Sequence, residues 1–286
     1  MFPEPFRTFR ALDHLLTVGG AGPPVLLLHG FPETHLCWDA VAPRLAVRHT
    51  VVAPDLRGYG GTAAPTGGPE GQGYTKREMA ADLVEMMASL GHDRFAVVGH
   101  DRGARAAYRM ALDHPSAVTR LAVVNIVPTI DQFEKMGDGV SLGYWPWFLL
   151  AQPAPFPERL LSADPGAMLD HVFDTWSAHP DAISAQHRRA YRNAMSPDTI
   201  AAMCADYRAS FHLDRLHDRE DRAAGRRIEA PTLVVTGANE TQLDEAPAVW
   251  ARWADRLQSA RVPGGHFAPE EAPEELAELL LRFLAS

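Results

Sequence analysis

Gly99-His100-Asp101-Arg102-Gly103 is the stretch of this chain best equipped for chemistry. It follows the apolar run Phe95 to Val98 and precedes an Ala-rich helical pattern, Ala104 to Leu112. A strand, a sharp glycine-flanked turn and a helix form a nucleophile elbow, which holds its central residue out at the top of a sheet. The central residue here is Asp101, where acyl-transfer chemistry would place a serine. An aspartate is already ionised at neutral pH. It can attack a saturated carbon bearing a leaving group and form an alkyl ester. The elbow therefore predicts opening of an alkyl halide or an epoxide.

Other residues assemble around this one. His266 lies in Pro263-Gly264-Gly265-His266-Phe267, after the last expected strand and before the last expected helix. Two glycines let that loop bend the ring over the elbow, where His266 is a general base for a water molecule. His29-Gly30-Phe31 follows the expected strand Val25 to Leu28. The Phe31 and Arg102 amides there are the expected oxyanion donors. Arg102 and Arg105 lie three apart at a helix start, so they share a face. Cations at a helix N-terminus are unfavourable without an anion nearby, so the pair predicts an anionic substrate held through its carboxylate. Arg109 reads as structural. Asp55 and Arg57, in Asp55-Leu56-Arg57-Gly58-Tyr59-Gly60, are expected to form an ion pair that stiffens a turn.

These residues need a parallel α/β scaffold. Apolar runs at Val25–Leu28, Thr50–Ala53, Phe95–Val98, Leu121–Val124 and Thr232–Val235, with a weaker one at Ser259–Val262, alternate with helical patterns. The helices are expected at Lys76–Leu90, Arg102–His114, Ala246–Ala254 and Pro273–Leu284, which predicts a mostly parallel sheet flanked by helices. Residues 128–225 break the alternation and predict a helical cap, inserted between core segments 1–127 and 226–286.

Lys and Arg number 27 against 36 Asp and Glu, a net charge of -9. With no basic run, nucleic acid is not an expected partner. The chain shows no membrane-length apolar run and no basic-then-apolar leader pattern, and its two cysteines are read as free thiols. A cytoplasmic protein is the expectation.

Together these motifs resemble the α/β-hydrolase superfamily, and within it the haloacetate dehalogenases, whose best-known members act on fluoroacetate. The likeness runs through His29–Thr34, Asp55–Gly60, Gly99–Arg109, Leu149–Pro153, Asp206-Tyr207-Arg208 and Gly264–Phe267. It implies Asp101 as nucleophile, His266 as base and Arg102 with Arg105 as carboxylate clamp. It also implies a halide site built from Trp147 and Tyr207, with Trp176 as a further pocket residue. No metal or organic cofactor is implied, and a homodimer is. The sequence departs from the pattern twice. Pro146 stands where the family places a halide-binding histidine, and Asn125 where it places the triad acid. Glu240, just after the Thr232 strand, is the favoured replacement acid, ahead of Asp244 and Asp131. Asn125 would then be an auxiliary donor. Two other readings compete. One is epoxide hydrolysis using Tyr144, Tyr191 or Tyr207. The other is a catalytically impaired homologue that binds a small carboxylate.

Overall fold

The computed structural model describes residues 1–136 and 142–286. Residues 137–141, inside the expected helical insertion, lie outside the described residues. Eight strands form one sheet: β1 (Arg7–Ala11), β2 (His14–Gly19), β3 (Pro24–Leu28), β4 (Thr50–Pro54), β5 (Phe95–His100), β6 (Val118–Val124), β7 (Thr232–Gly237) and β8 (Leu257–Val262). Their order is β1-β2-β4-β3-β5-β6-β7-β8. From β4 to β8 the neighbours are parallel. β1 and β2 join antiparallel at one edge. The six expected strands are all present. The β1–β2 hairpin was not foreseen, because the outer strand β1 is almost wholly exposed and carries no buried apolar run.

Successive residues of the central strands point to opposite faces. Leu26, Leu28 and Val97 enter one apolar core, while Val25, Leu27 and Val98 enter the other. Both faces of β5 are therefore buried, as a parallel sheet covered by helices requires.

The chain-order helices are α1 (Ala42–Leu45), α2 (Lys76–Ser89), α3 (Asp101–Asp113), α4 (Thr129–Lys135), α5 (Trp145–Leu149), α6 (Phe156–Ala163) and α7 (Pro165–Trp176). They continue with α8 (Ala185–Ala194), α9 (Pro197–Ala209), α10 (Arg215–Ala223), α11 (Ala246–Trp250), α12 (Ala268–Glu271) and α13 (Pro273–Ala285). Thr75 caps α2 and Glu78 reaches back to the Thr75 amide, a capping box that fixes where the helix starts. The expected helix from Ala246 stops at Trp250, short of Ala254. Between β6 and β7 the described residues form helices and turns without a strand.

Helix α3 is buried along nearly its whole length, with Ala104, Ala106, Ala107 and Ala111 allowing close packing. Arg102, Arg105 and Arg109 on it are buried as well. Buried charges require partners. The helices between β6 and β7 supply them: Asp206 of α9 for Arg102, and Asp218 and Asp221 of α10 for Arg109. Arg109 is thus structural, as expected.

Candidate active site

Strand register brings the site together. Leu28 pairs with Gly99 and His100 with Val124, so Gly30-Phe31, Asp101 and Asn125 emerge side by side at the carboxyl ends of β3, β5 and β6. Gly237 pairs with Val262, which sends the Glu240 and His266 loops to the same end. Ligand sites in open parallel sheets lie at this end.

Asp101 begins α3 with φ 44°, a left-handed conformation uncommon for a residue bearing a side chain. Such a turn leaves no room beside it: a Cβ on Gly99 would lie 2.5 Å from the Ala104 backbone, and one on Gly103 would lie 2.4 Å from the His29 carbonyl oxygen. The Phe31 amide donates to Asp101 Oδ1 at 3.0 Å. Burial works to raise the Asp101 carboxyl, but His266, His100, Arg102 and Arg105 outweigh it and hold its pKa below the ordinary value.

His266 Nε2 lies 3.8 Å from Asp101 Oδ2, and its Nδ1 lies 3.7 Å from Glu240 Oε2. The ring stands between the two carboxylates, beyond hydrogen-bond length from each. Among the described residues His266 Nε2 has no hydrogen-bond partner. Separations of this kind are common before a substrate or water completes the site. Glu240 is buried, and Gln242 Nε2 donates to it at 2.5 Å.

Asn125 also has a left-handed backbone, φ 59°. Its Nδ2 donates to the carbonyls of Gly265 (3.0 Å) and His266 (2.7 Å), and its Oδ1 accepts from the Gly237 amide (2.7 Å). Asn125 therefore ties the β6, β7 and histidine loops together through backbone groups. The weaker candidate acids lie elsewhere. Asp131 is taken up by Trp253 and Arg252, and Asp244 pairs with Arg261 near the surface.

A cavity of about 580 Å³ opens over Asp101 and His266. Arg105, Asn125, Trp147, Trp176, Tyr207 and Glu240 line it, so most of the expected site residues meet there. The two arginines are not equivalent, contrary to the matched pair expected. Arg102 donates through Nε and NH2 to Asp206 and through NH2 to Ser210 Oγ (2.7 Å), and it is not among the cavity's lining residues. Its NH1 is buried without a partner among the described residues. Lys76 also pairs with Asp206, so one carboxylate serves two buried cations. Arg105 lines the cavity and donates from NH1 to the Val127 carbonyl (3.1 Å) and Thr129 Oγ1 (3.2 Å). Its Nε is unpartnered, and among the described residues it has no carboxylate partner. Its guanidinium lies 4.5 Å from the centre of the Trp147 ring, while that of Arg102 lies 4.2 Å from the Tyr207 ring. Pro146 is buried at the start of α5.

His29, expected at the substrate, is directed into the scaffold. It is fully buried, its Nε2 accepts from the Leu56 amide at 2.9 Å, and its Nδ1 contacts the Gly30 carbonyl at 2.9 Å. Phe31 contributes its amide, while its buried ring packs edge-on against Tyr207. The expected Asp55–Arg57 pair does not form. Asp55 accepts from His35 and the Gly61 amide, and Arg57 turns to Asp82. Of the three tyrosines considered for an epoxide, Tyr207 and Tyr144 line the cavity, while Tyr191 is buried against Glu270. Burial pushes the Tyr144 phenol up to about 12.

Sequence reasoning missed His100. Its Nδ1 meets Glu33 Oε2 at 2.9 Å and its Nε2 meets the His266 carbonyl at 2.7 Å. A carboxylate on one side and a carbonyl on the other are both acceptors, an arrangement that favours the imidazolium form of His100. Burial opposes that charge, but Glu33 outweighs it and raises the pKa. The available signal was a histidine, between an apolar strand and the elbow, with no partner nearby in sequence. Gln132, Asn239 and Gln242, which also line the cavity, had no such signal.

The α/β-hydrolase fold family model matches residues 23–273 of this chain. The chain belongs to the α/β-hydrolase fold family. Within that family it is 43% identical to the fluoroacetate dehalogenase of a Burkholderia species, over 94% of this chain and 89% of the relative. It is 31% identical to the soluble epoxide hydrolase of Corynebacterium sp. (strain C12), over 95% of this chain and 93% of the relative. Among solved structures, a variant of a Pseudomonas aeruginosa epoxide-hydrolase candidate with bound MFA superposes with a TM-score of 0.91 at 42% identity, covering 98% of this chain and 95% of that one.

Proposed function

We propose that this α/β hydrolase is a dehalogenase of short 2-halo acids and works through an aspartyl ester. One observation carries the reading. Among the three buried arginines of α3, the one lining the cavity lacks a carboxylate partner among the described residues, and it shares that cavity with Asp101. A substrate carboxylate would supply the missing anion.

In this reading Arg105 holds the carboxylate, while Arg102, paired with Asp206, adds positive charge behind it. Asp101 attacks the halogen-bearing carbon, an ester C–O bond forms, and the carbon–halogen bond breaks with its electron pair leaving on the halide. Trp147 and Tyr207 face the departing ion, and the helices between β6 and β7 act as the cap that excludes water. His266 then takes a proton from a water molecule, whose oxygen bonds the ester carbonyl carbon. The Phe31 amide, with that of Arg102, stabilises the oxyanion. The acyl–oxygen bond breaks as the His266 imidazolium returns its proton to the departing alkoxide oxygen, the hydroxy acid leaves, and the new Asp101 carboxyl loses the water's remaining proton to solvent, which regenerates the carboxylate. Glu240 stabilises the His266 imidazolium formed on the way. No step calls for a metal or an organic cofactor.

The second reading is epoxide hydrolysis. Its support is Tyr144 and Tyr207 on the cavity wall, where protonated phenols could donate to an epoxide oxygen. It leaves Arg105 without a role.

The test is halide release from chloroacetate, bromoacetate and fluoroacetate, followed by ion chromatography, with Asp101→Asn as control. Release that disappears in Asp101→Asn supports the dehalogenase. Release of chloride and bromide but not fluoride would point to a halide site weakened by Pro146. No release from any of the three, with turnover of an epoxide such as styrene oxide, would replace the first reading by the second.

A further inference from the structure

The histidine loop is anchored by a carboxylate that has no part in the chemistry above. Glu271, at the end of α12, accepts four backbone N–H groups. Its Oε1 takes the Phe267 amide at 3.0 Å, and its Oε2 takes those of Gly265 (3.0 Å), Ala178 (2.8 Å) and His179 (3.0 Å). Two of these donors flank His266. The other two belong to the turn after α7; Trp176 at the end of that helix and Ser177 and Ala178 of the turn line the cavity. The His266 amide itself donates to the Trp176 carbonyl at 3.0 Å, and the two rings meet edge to face with centroids 5.1 Å apart.

Close approach of the two segments explains the paired glycines. A Cβ on Gly265 would lie 2.5 Å from the Ala178 nitrogen and 2.8 Å from the Trp176 carbonyl oxygen. Gly264 has φ 98°, and a Cβ there would lie 2.9 Å from the Glu271 Cβ.

We propose that Glu271 is a positioning residue for the hydrolytic half-reaction, locking the His266 loop to the cavity wall at Trp176–His179 so that base and wall keep one spacing. The role rests on the ester mechanism proposed above. Asp101 is held by α3 and the Phe31 amide, independently of Glu271. Loss of the anchor therefore acts on the step that needs His266 and spares the attack by Asp101.

Glu271→Gln discriminates. Its volume is nearly unchanged, but one acceptor oxygen becomes an NH2 group, which must oppose at least one of the four donors. The experiment mixes enzyme with bromoacetate, quenches at intervals, and follows bromide release together with the intact mass of the protein. Wild type and His266→Asn run alongside. The expected result for Glu271→Gln is an unchanged first burst of bromide. A carboxymethyl ester on Asp101 should then accumulate and decay about 10²-fold more slowly than in wild type, the scale on which a misplacement near 1 Å is felt. A burst slowed as much as the decay, or no ester while His266→Asn does trap one, would overturn the role of Glu271 and leave the mechanism standing. No ester in either variant would overturn the mechanism and the anchor role with it. If Glu271→Gln is insoluble, Glu271→Asp takes its place. It keeps the charge but withdraws the acceptor by one methylene, and the same pattern is expected of it.

Discussion

At the scale of single residues, the site turns on how each polar atom is spent. Glu240 stands 3.7 Å from His266 Nδ1, on the side of the ring away from Asp101. Glu240→Gln keeps the shape and removes the charge that would balance an imidazolium. Steady-state turnover is expected to fall by about 10²- to 10⁴-fold, with ester accumulating in quenched samples. Unchanged turnover would remove Glu240 from the mechanism. Asn125 gives a sharper contrast. An acid at this position would match the family pattern, but both Nδ2 protons are already donated to carbonyls. Asn125→Asp sets a carboxylate against those two oxygens. Loss of a buried donor costs about 1–3 kcal/mol. The expected outcome is a lower Tm in calorimetry and no gain in turnover, whereas a gain would show that the carboxylate can reach His266.

At the scale of elements, the joint between the sheet and the helical segment is built from ionisable groups. Glu270 of α12 lies close enough to Glu33 to feel its charge, meets His187 of α8 at 2.6 Å and accepts from Tyr191 at 3.2 Å. Glu33 pairs with His100, and His187 also meets Asp39 at 3.0 Å. Two buried carboxyls this close cannot both ionise without cost. Burial and the Glu33 charge push the Glu270 carboxyl up to about 8, while its bonds to Asp39 and Glu270 raise His187 to about 9. Both groups hold a proton more tightly folded than unfolded. For Glu270 the stabilisation is complete below its ordinary 4.5 and is lost as pH rises through about 8. Glu270→Gln mimics the protonated form at every pH. Measured against wild type, its Tm is expected to improve from pH 5 to about pH 8 and to level off above that. A difference independent of pH would show that Glu270 is ionised throughout. The same scale shows why Arg102 and Arg105 differ. They are alike in sequence, but only one meets an aspartate from α9.

At the scale of the whole molecule, stability is unevenly distributed along the sheet. Every residue of β5 is buried, whereas β1 is exposed and pairs on one side alone. Hydrogen exchange should therefore be slowest at the β5 amides and fastest at β1. Equal protection of the two strands would contradict an edge hairpin laid on a rigid centre. Among the described residues no helix is long and apolar enough to cross a membrane.

The sequence by itself determined the elbow, the six parallel strands and the alternation that places Asp101, Asn125, Glu240 and His266 at one end of the sheet. These follow from local chemistry: glycines that permit a tight turn, and apolar runs that must be buried on both faces. It did not show the β1–β2 hairpin, whose outer strand is exposed and carries no hydrophobic signal. Nor did it show which arginine is free, where His29 and Asp55 spend their hydrogen bonds, or that Glu271 and His100 hold the histidine loop. Those outcomes depend on partners far apart in the chain, such as Arg102 with Asp206 and Glu271 with Ala178. A buried charge or amide takes whichever partner the packed structure brings within about 3 Å, and only tertiary structure decides which one that is.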